Sequence, residues 1–166
     1  MATQICMCGF YNHPSRECTC PPGAVQKYLN KVSGPLLDRI DLHVEVTPVD
    51  FNELSSTKKT ESSAFIRERV IKAREIQAER YKDKPGMYAN AQISAGMLKD
   101  ICVIDKVGEN LLKAAMNKLQ LSARAYDRIL KVSRTIADLD GSAGIRPEHL
   151  AEAIQYRSLD REGWAG

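Results

Sequence analysis

Four cysteines crowd the first twenty residues. Cys6 and Cys8 form one C-x-C pair and Cys18 and Cys20 a second, with nine residues between the pairs. Thiolate sulfur is a strong ligand for zinc, and four sulfurs complete the tetrahedral shell of a structural site. The C-x-C spacing is tighter than the common C-x₂-C, and His13, lying between the pairs, could replace one sulfur. The same residues also fit a reduced thiol cluster or a disulfide. Met1-Ala2-Thr3-Gln4 carries neither a basic stretch nor an apolar one, so no signal peptide is expected. A cytoplasmic chain keeps its thiols reduced, which points a tight cluster to metal before disulfide. The fifth cysteine, Cys102, sits among Ile101, Val103 and Ile104 and reads as core.

Two arginines also occupy chemically suggestive places. Arg39 lies in Ser33-Gly34-Pro35-Leu36-Leu37-Asp38-Arg39-Ile40-Asp41-Leu42. Read from physics alone, it is a solvated arginine paired with Asp38 or Asp41. Arg124 falls in the first turn of a long helical pattern, where the macrodipole disfavours a cation, and that misfit points toward a functional reason. His43 and His149 have no partner pattern for nucleophilic catalysis, and the carboxylates are scattered among bases. No G-x-x-x-x-G-K-[ST] occurs, nor an apolar run ending in Asp-Glu. Nothing in these residues would cradle β- and γ-phosphates or hold their Mg²⁺.

The elements that must position these residues follow from pattern. The cysteine-bearing segment, rich in Pro and Gly, reads as a loop to about residue 22. A short helix is expected over Gly23–Val32, then a break at Ser33-Gly34-Pro35. Ile40–Val46 alternates Ile40, Leu42, Val44 and Val46 against Asp41, His43 and Glu45. That predicts a half-buried strand with His43 pointing outward, stopped by Pro48. Residues 52–62 are polar and read as a linker.

All that follows is helical in pattern. Ser62–Tyr81 carries Phe65, Ile66, Val70, Ala73 and Ile76 at helical spacing. Ser94–Val103 is a short helix with Ser94 as N-cap, and Asp105–Leu119 starts on a capping residue. Ser122 caps a long helix from Ala123 to about Asp140. On its wheel Tyr126, Ile129, Leu130, Ser133, Ile136 and Ala137 face inward, while Arg124, Arg128 and Lys131 make an outer cationic ridge. A last helix starts at Arg146-Pro147 and runs through Leu150, Ala153 and Ile154.

Three segments in this order and spacing resemble the magnesium-chelatase-related AAA+ ATPases, specifically the ComM branch. They are the two Cys pairs, the Ser33–Leu42 motif, and Leu121-Ser122-Ala123-Arg124-Ala125-Tyr126-Asp127-Arg128-Ile129-Leu130 followed by Arg134-Thr135-Ile136-Ala137-Asp138-Leu139. The resemblance runs over essentially the whole chain. It implies an α+β, mainly α fold. Residues 1–50 would end an α/β nucleotide-binding domain, 51–60 would be a linker, and 61–166 a four-helix lid bundle. It implies that Arg39 is an arginine finger acting in trans and Arg124 a sensor 2 arginine. The sensor 1 position falls on Gln4, where the family has Asn in an Asn-Pro-Cys run and this chain has Gln4-Ile5-Cys6. For the full-length parent it implies ATP and Mg²⁺ as cofactors, other copies in a ring as partners, and DNA as substrate.

Two alternatives stand beside that reading. The first is a motor subunit for magnesium chelation, since the family includes one. The second is a non-catalytic zinc and interaction module. Lys plus Arg is 24 against 21 for Asp plus Glu, and a net charge of +3 is too mild to argue nucleic-acid binding by itself. No apolar run approaches the roughly 18 residues of a membrane span, so no membrane partner and a cytoplasmic location are expected.

Overall fold

The computed structural model describes residues 6–46, 48–49, 55 and 60–157. The chain forms two compact units, Met1–Leu54 with Tyr156–Gly166, and Ser55–Gln155. Among the described residues the regular structure is helical throughout, with no strand.

In the first unit, α1 (Ala24–Leu29) begins after Gly23, whose φ of +78° is a left-handed entry that glycine adopts without strain. α2 (Gly34–Leu37) has Ser33 in the N-cap position and a proline in its first turn, where the missing N–H costs nothing. Among the described residues of this unit, Cys6, Leu29 and Leu37 are the buried apolar side chains.

The strand expected over Ile40–Val46 does not form. Residues 42–46 have no regular structure, and Leu42, Val44 and Val46 are 48%, 66% and 87% exposed. Alternation describes a segment suited to a pleated, half-buried surface, but a strand exists only by pairing with another. Among the described residues no segment ladders with this one. His43, expected to point outward, is half-buried, with Nε2 3.2 Å from Leu37 O.

The second unit is built around one helix. α3 (Ser63–Tyr81) is followed by a loop with a 3₁₀ turn at Asn90–Gln92, then α4 (Ala95–Ile101), α5 (Lys106–Lys118), α6 (Ala123–Leu139) and α7 (Pro147–Gln155). α6 packs against α3, α4, α7 and the 3₁₀ turn, and α5 packs on α7. Three starts are capped as their residues predict. Ser62 Oγ accepts from Phe65 N–H, Asp105 Oδ1 from Gly108 N–H at 2.7 Å, and Ser122 Oγ from Ala125 N–H at 3.1 Å. Ser94 holds the N-cap position of α4 without a side-chain cap bond. A Cβ on Gly108 would lie 2.7 Å from Leu150 Cδ1, so any larger residue there would force the buried Leu150 side chain to shift where α5 meets α7. The core gathers Ile93, Leu98, Cys102, Leu112, Ile129 and Leu150, with Cys102 buried as expected.

Two expected faces are corrected. Phe65, Ile66, Val70 and Ile76 are exposed, and only Ala73, Gln77 and Tyr81 of α3 are buried. The core therefore grips the C-terminal half of α3, and the apolar spacing of its first half does not point into that core. On α6, Tyr126 is exposed at 40%, while Ala125 beside it is buried. The inward side also takes in Arg134 and Asp138, and the outer ridge is incomplete. Arg124 is exposed, but Arg128 and Lys131 are half-buried, with Lys131 Nζ donating to Ala91 O at 3.2 Å.

Arg134 and Asp138 enter the core because they are paired. Asp138 Oδ2 accepts from Arg80 at 2.7 Å and from Asn90 Nδ2 at 2.8 Å. Its Oδ1 accepts from Arg80 at 2.5 Å and from Arg134 Nε at 3.2 Å. Arg134 also donates to the Ser142 and Ala143 carbonyls, and Asn90 Oδ1 accepts from Tyr81 OH at 2.7 Å. Burial alone would raise the Asp138 carboxyl, but the hydrogen bonds from Arg80 and Asn90, with the charges of Arg80 and Arg134, hold it below its ordinary 3.8.

Asp138→Asn would leave two guanidinium groups in this site without their counter-charge, and urea unfolding is expected to show a loss of about 3–5 kcal/mol. The native carboxyl is depressed, so its contribution is full above pH 3.8 and fades as pH falls through its lower folded value. The natural chain should therefore lose stability over that acid window, and Asp138→Asn should lack this component. Equal stability of the two proteins at pH 7 would refute the assignment.

Candidate functional site

The cysteine loop turns sharply. Gly9 at φ +79° and Asn12 at φ +58° both take left-handed backbone, and Gly9 N–H donates to Cys6 O at 3.3 Å. These turns bring both C-x-C pairs together. The four Sγ atoms all lie within 4.8 Å of one another. Cys6 and Cys8 are 3.3 Å apart, Cys8 and Cys18 3.4 Å, and Cys6 and Cys18 3.8 Å. Tetrahedral zinc with bonds of about 2.3 Å has sulfur–sulfur edges of about 3.8 Å, so the donor set fits. A disulfide would need about 2.05 Å, and all five cysteines are free.

His13 is not one of the four donors. Its Nδ1 accepts from Ser15 N–H at 3.2 Å, and its ring packs edge-on against Phe10 at 5.6 Å. The alternative in which His13 replaces a sulfur is not the arrangement that forms.

The electrostatics of the quartet are uneven. Backbone hydrogen bonding at Phe10 pulls the Cys8 thiol down to about 5 against the opposing effect of burial, with help from the Cys6 and Cys18 thiols. Backbone hydrogen bonding at Cys20 favours the Cys18 thiolate, but burial and the neighbouring sulfurs outweigh it and push this thiol up to about 12. The lowered Cys8 thiol favours the thiolate, the form that binds metal.

Arg39 follows directly on Asp38, the C-cap of α2, and is exposed, with NH1 donating to Pro35 O at 3.1 Å. Arg124 is exposed in the first turn of α6, just after the Ser122 cap. Each arginine belongs to its own unit. Gln4 lies outside the described residues.

Sequence reasoning missed Arg157. It is 1% exposed, its NH1 donates to Ile40 O, and its NH2 lies 3.7 Å from Asp38 Oδ1. It also missed the Asp138 network. The one signal available for the network was a pair of charged residues on the inward side of a helix, Arg134 and Asp138; for Arg157, beyond the end of α7, there was none.

Comparison with known proteins gives this geometry its context. Residues 60–157 match the family described as magnesium chelatase, subunit ChlI C-terminal, and residues 1–54 match magnesium chelatase, subunit ChlI. The chain belongs to the magnesium-chelatase-related ComM family. It is 45% identical over 141 residues to competence protein ComM of Haemophilus influenzae, covering 84% of this chain and 27% of that protein. It is 39% identical over 154 residues to YifB of Escherichia coli, covering 92% of this chain and 29% of that protein. The chain thus spans less than a third of the length of these relatives. No helix among the described residues is long and apolar enough to cross a membrane.

Alkylation of metal-free protein should follow the thiol order. Between pH 6 and 8 the rate at Cys8 should be nearly flat, because its thiol is lowered to about 5. The rate at Cys102, raised to about 11 by burial, should stay slow and climb roughly tenfold per pH unit. Equal rates and slopes at Cys8 and Cys102, read by peptide mass spectrometry, would contradict the assignment.

Proposed function

We propose that this chain is the nucleotide-completing portion of a ring-forming AAA+ ATPase acting on DNA. In this reading Arg39 is the arginine finger offered in trans to ATP on a neighbouring copy, and Arg124 is the sensor 2 arginine. Residues 1–50 close the nucleotide-binding domain, 51–60 link, and 61–166 are the lid. Gln4 takes the sensor 1 position. ATP and Mg²⁺ are bound by the full-length protein, and the ring operates in the cytoplasm.

The observation that carries the reading is the placement of Arg39. It is exposed immediately after a short helix, in the motif where the family resemblance puts a finger. Phosphoryl transfer spreads negative charge over the equatorial oxygens of the transferred group. A guanidinium meets that charge with a permanent cation and a rigid fork of donors. Since the finger serves a neighbour's nucleotide, hydrolysis needs assembly. A sensor on a helical lid lets nucleotide state move that whole domain.

The test is complementation. A full-length family subunit with its own finger replaced by alanine would be mixed with this chain, with mixed assembly established by native mass spectrometry. Phosphate release should rise, and Arg39→Ala in this chain should remove the gain, in line with the roughly 10³-fold or greater worth of such fingers. Mixed assemblies that hydrolyse no faster than the fingerless subunit would sink the finger.

The ComM-like pattern of Cys pairs favours DNA over the magnesium-chelation motor that the family description suggests. The sulfur quartet favours a structural zinc within the same assembly, and by itself it also suits a zinc and interaction module. Cys6, Cys8, Cys18 and Cys20 would hold the ion, which supplies a cross-link in place of a core. Elemental analysis of protein purified without chelator should find one zinc per chain and its loss in Cys8→Ser. Zinc-free protein from zinc-replete cells would reject the metal.

A further inference from the structure

Arg157 is out of reach of any local pattern, since it meets Ile40 across 117 residues of sequence. Its side chain is among the largest that are fully buried. A buried guanidinium is costly to desolvate, and its planar fork holds a geometry more rigidly than a lysine could. What it holds is the turn carrying Arg39. NH1 donates to Ile40 O, and NH2 sits 3.7 Å from the Asp38 carboxylate. Asp38 and Ile40 are the two neighbours of Arg39.

The backbone beside Arg157 makes a second tie to the same segment. His43 N–H donates to Tyr156 O at 2.9 Å, and His43 Nε2 lies 3.2 Å from Leu37 O. Residues 37–43 are thus tied by Tyr156 and Arg157 at one side and folded back on themselves by His43.

We propose that Arg157 is a positioning residue for Arg39, clamping the backbone on both sides of it so that the exposed guanidinium projects from a fixed turn. The clamp itself stands on these contacts, while its purpose rests on the reading of Arg39 as a finger.

Hydrogen exchange on the full chain tests the clamp. In Arg157→Gln, peptides covering residues 37–43 should exchange roughly tenfold faster or more, as expected for losing a hydrogen bond from a charged donor. Peptides of α5 and α6 should be unchanged, and Arg157→Lys should fall between. Unchanged exchange over 37–43 in folded Arg157→Gln overturns the proposal. Should that variant fail to fold, Asp38→Asn removes the charge partner of Arg157 NH2 and leaves the bond to Ile40 O in place. It should raise exchange over 37–43 a few-fold, and its failure to do so is equally decisive.

The purpose is read in the mixed assemblies. Arg157→Gln should lower kcat for ATP at unchanged KM, with partial recovery in Arg157→Lys. A kcat equal to that of the natural chain overturns the positioning role. If Arg39→Ala has no effect on hydrolysis, the finger reading falls while the exchange experiment still decides the clamp.

Discussion

The helical unit depends on a single carboxylate, that of Asp138, and on the cations arranged to meet it. Arg80 comes from α3, Asn90 from the loop that follows, and Arg134 from the same helix as Asp138. Arg134 carries the network on to the Ser142 and Ala143 carbonyls after α6. Two cations and one anion would be a poor bargain for a core if they were merely close. Here the surplus guanidinium donors are taken up by backbone carbonyls and by the Asn90 oxygen, so few polar atoms are left to lose hydration without a replacement. Because the partners come from α3, the loop and α6, satisfying this carboxylate also fixes how these elements meet.

The first unit solves its folding problem differently. Its described part has few buried apolar side chains, with Cys6, Leu29 and Leu37 the buried ones. So small a core needs staples. The buried Arg157, with its reach to Asp38 and Ile40, fills that place, and the four sulfurs gathered within 4.8 Å would add to it if they held a metal. Both sets of contacts join residues that carry chemistry rather than bulk. In the helical unit the polar network instead sits beside a continuous apolar core.

Much of this was legible in the residues. The caps at Ser62, Asp105 and Ser122 act within three residues of themselves, so local reading was enough to find the starts of α3, α5 and α6. The C-x-C pairs announced a sulfur cluster, because a loop of nine residues can close on itself with glycine and asparagine at its turns. Alternation over Ile40–Val46 misled, because it described a surface without describing its partner. The stripe of α3 misled in the same way: spacing shows that apolar residues share a face and does not show what that face meets. The wheel of α6 put Tyr126 inward, where it is exposed, and a wheel drawn from hydrophobicity alone ignores that Arg134 and Asp138 can be drawn inward once paired.

The sequence by itself determined the helical class, the helix starts, the crowding of the cysteines and the motifs that place Arg39 and Arg124. These are decided within a few residues, by capping, by backbone permissiveness and by spacing. Only the tertiary structure decided which charges are buried, that His13 stays outside the quartet, and that Arg157 grips the turn carrying Arg39. Those outcomes rest on side chains meeting across 58 residues for Arg80 and Asp138 and across 117 for Arg157 and Ile40. A charge buried by such a meeting looks, in sequence, the same as one left in water.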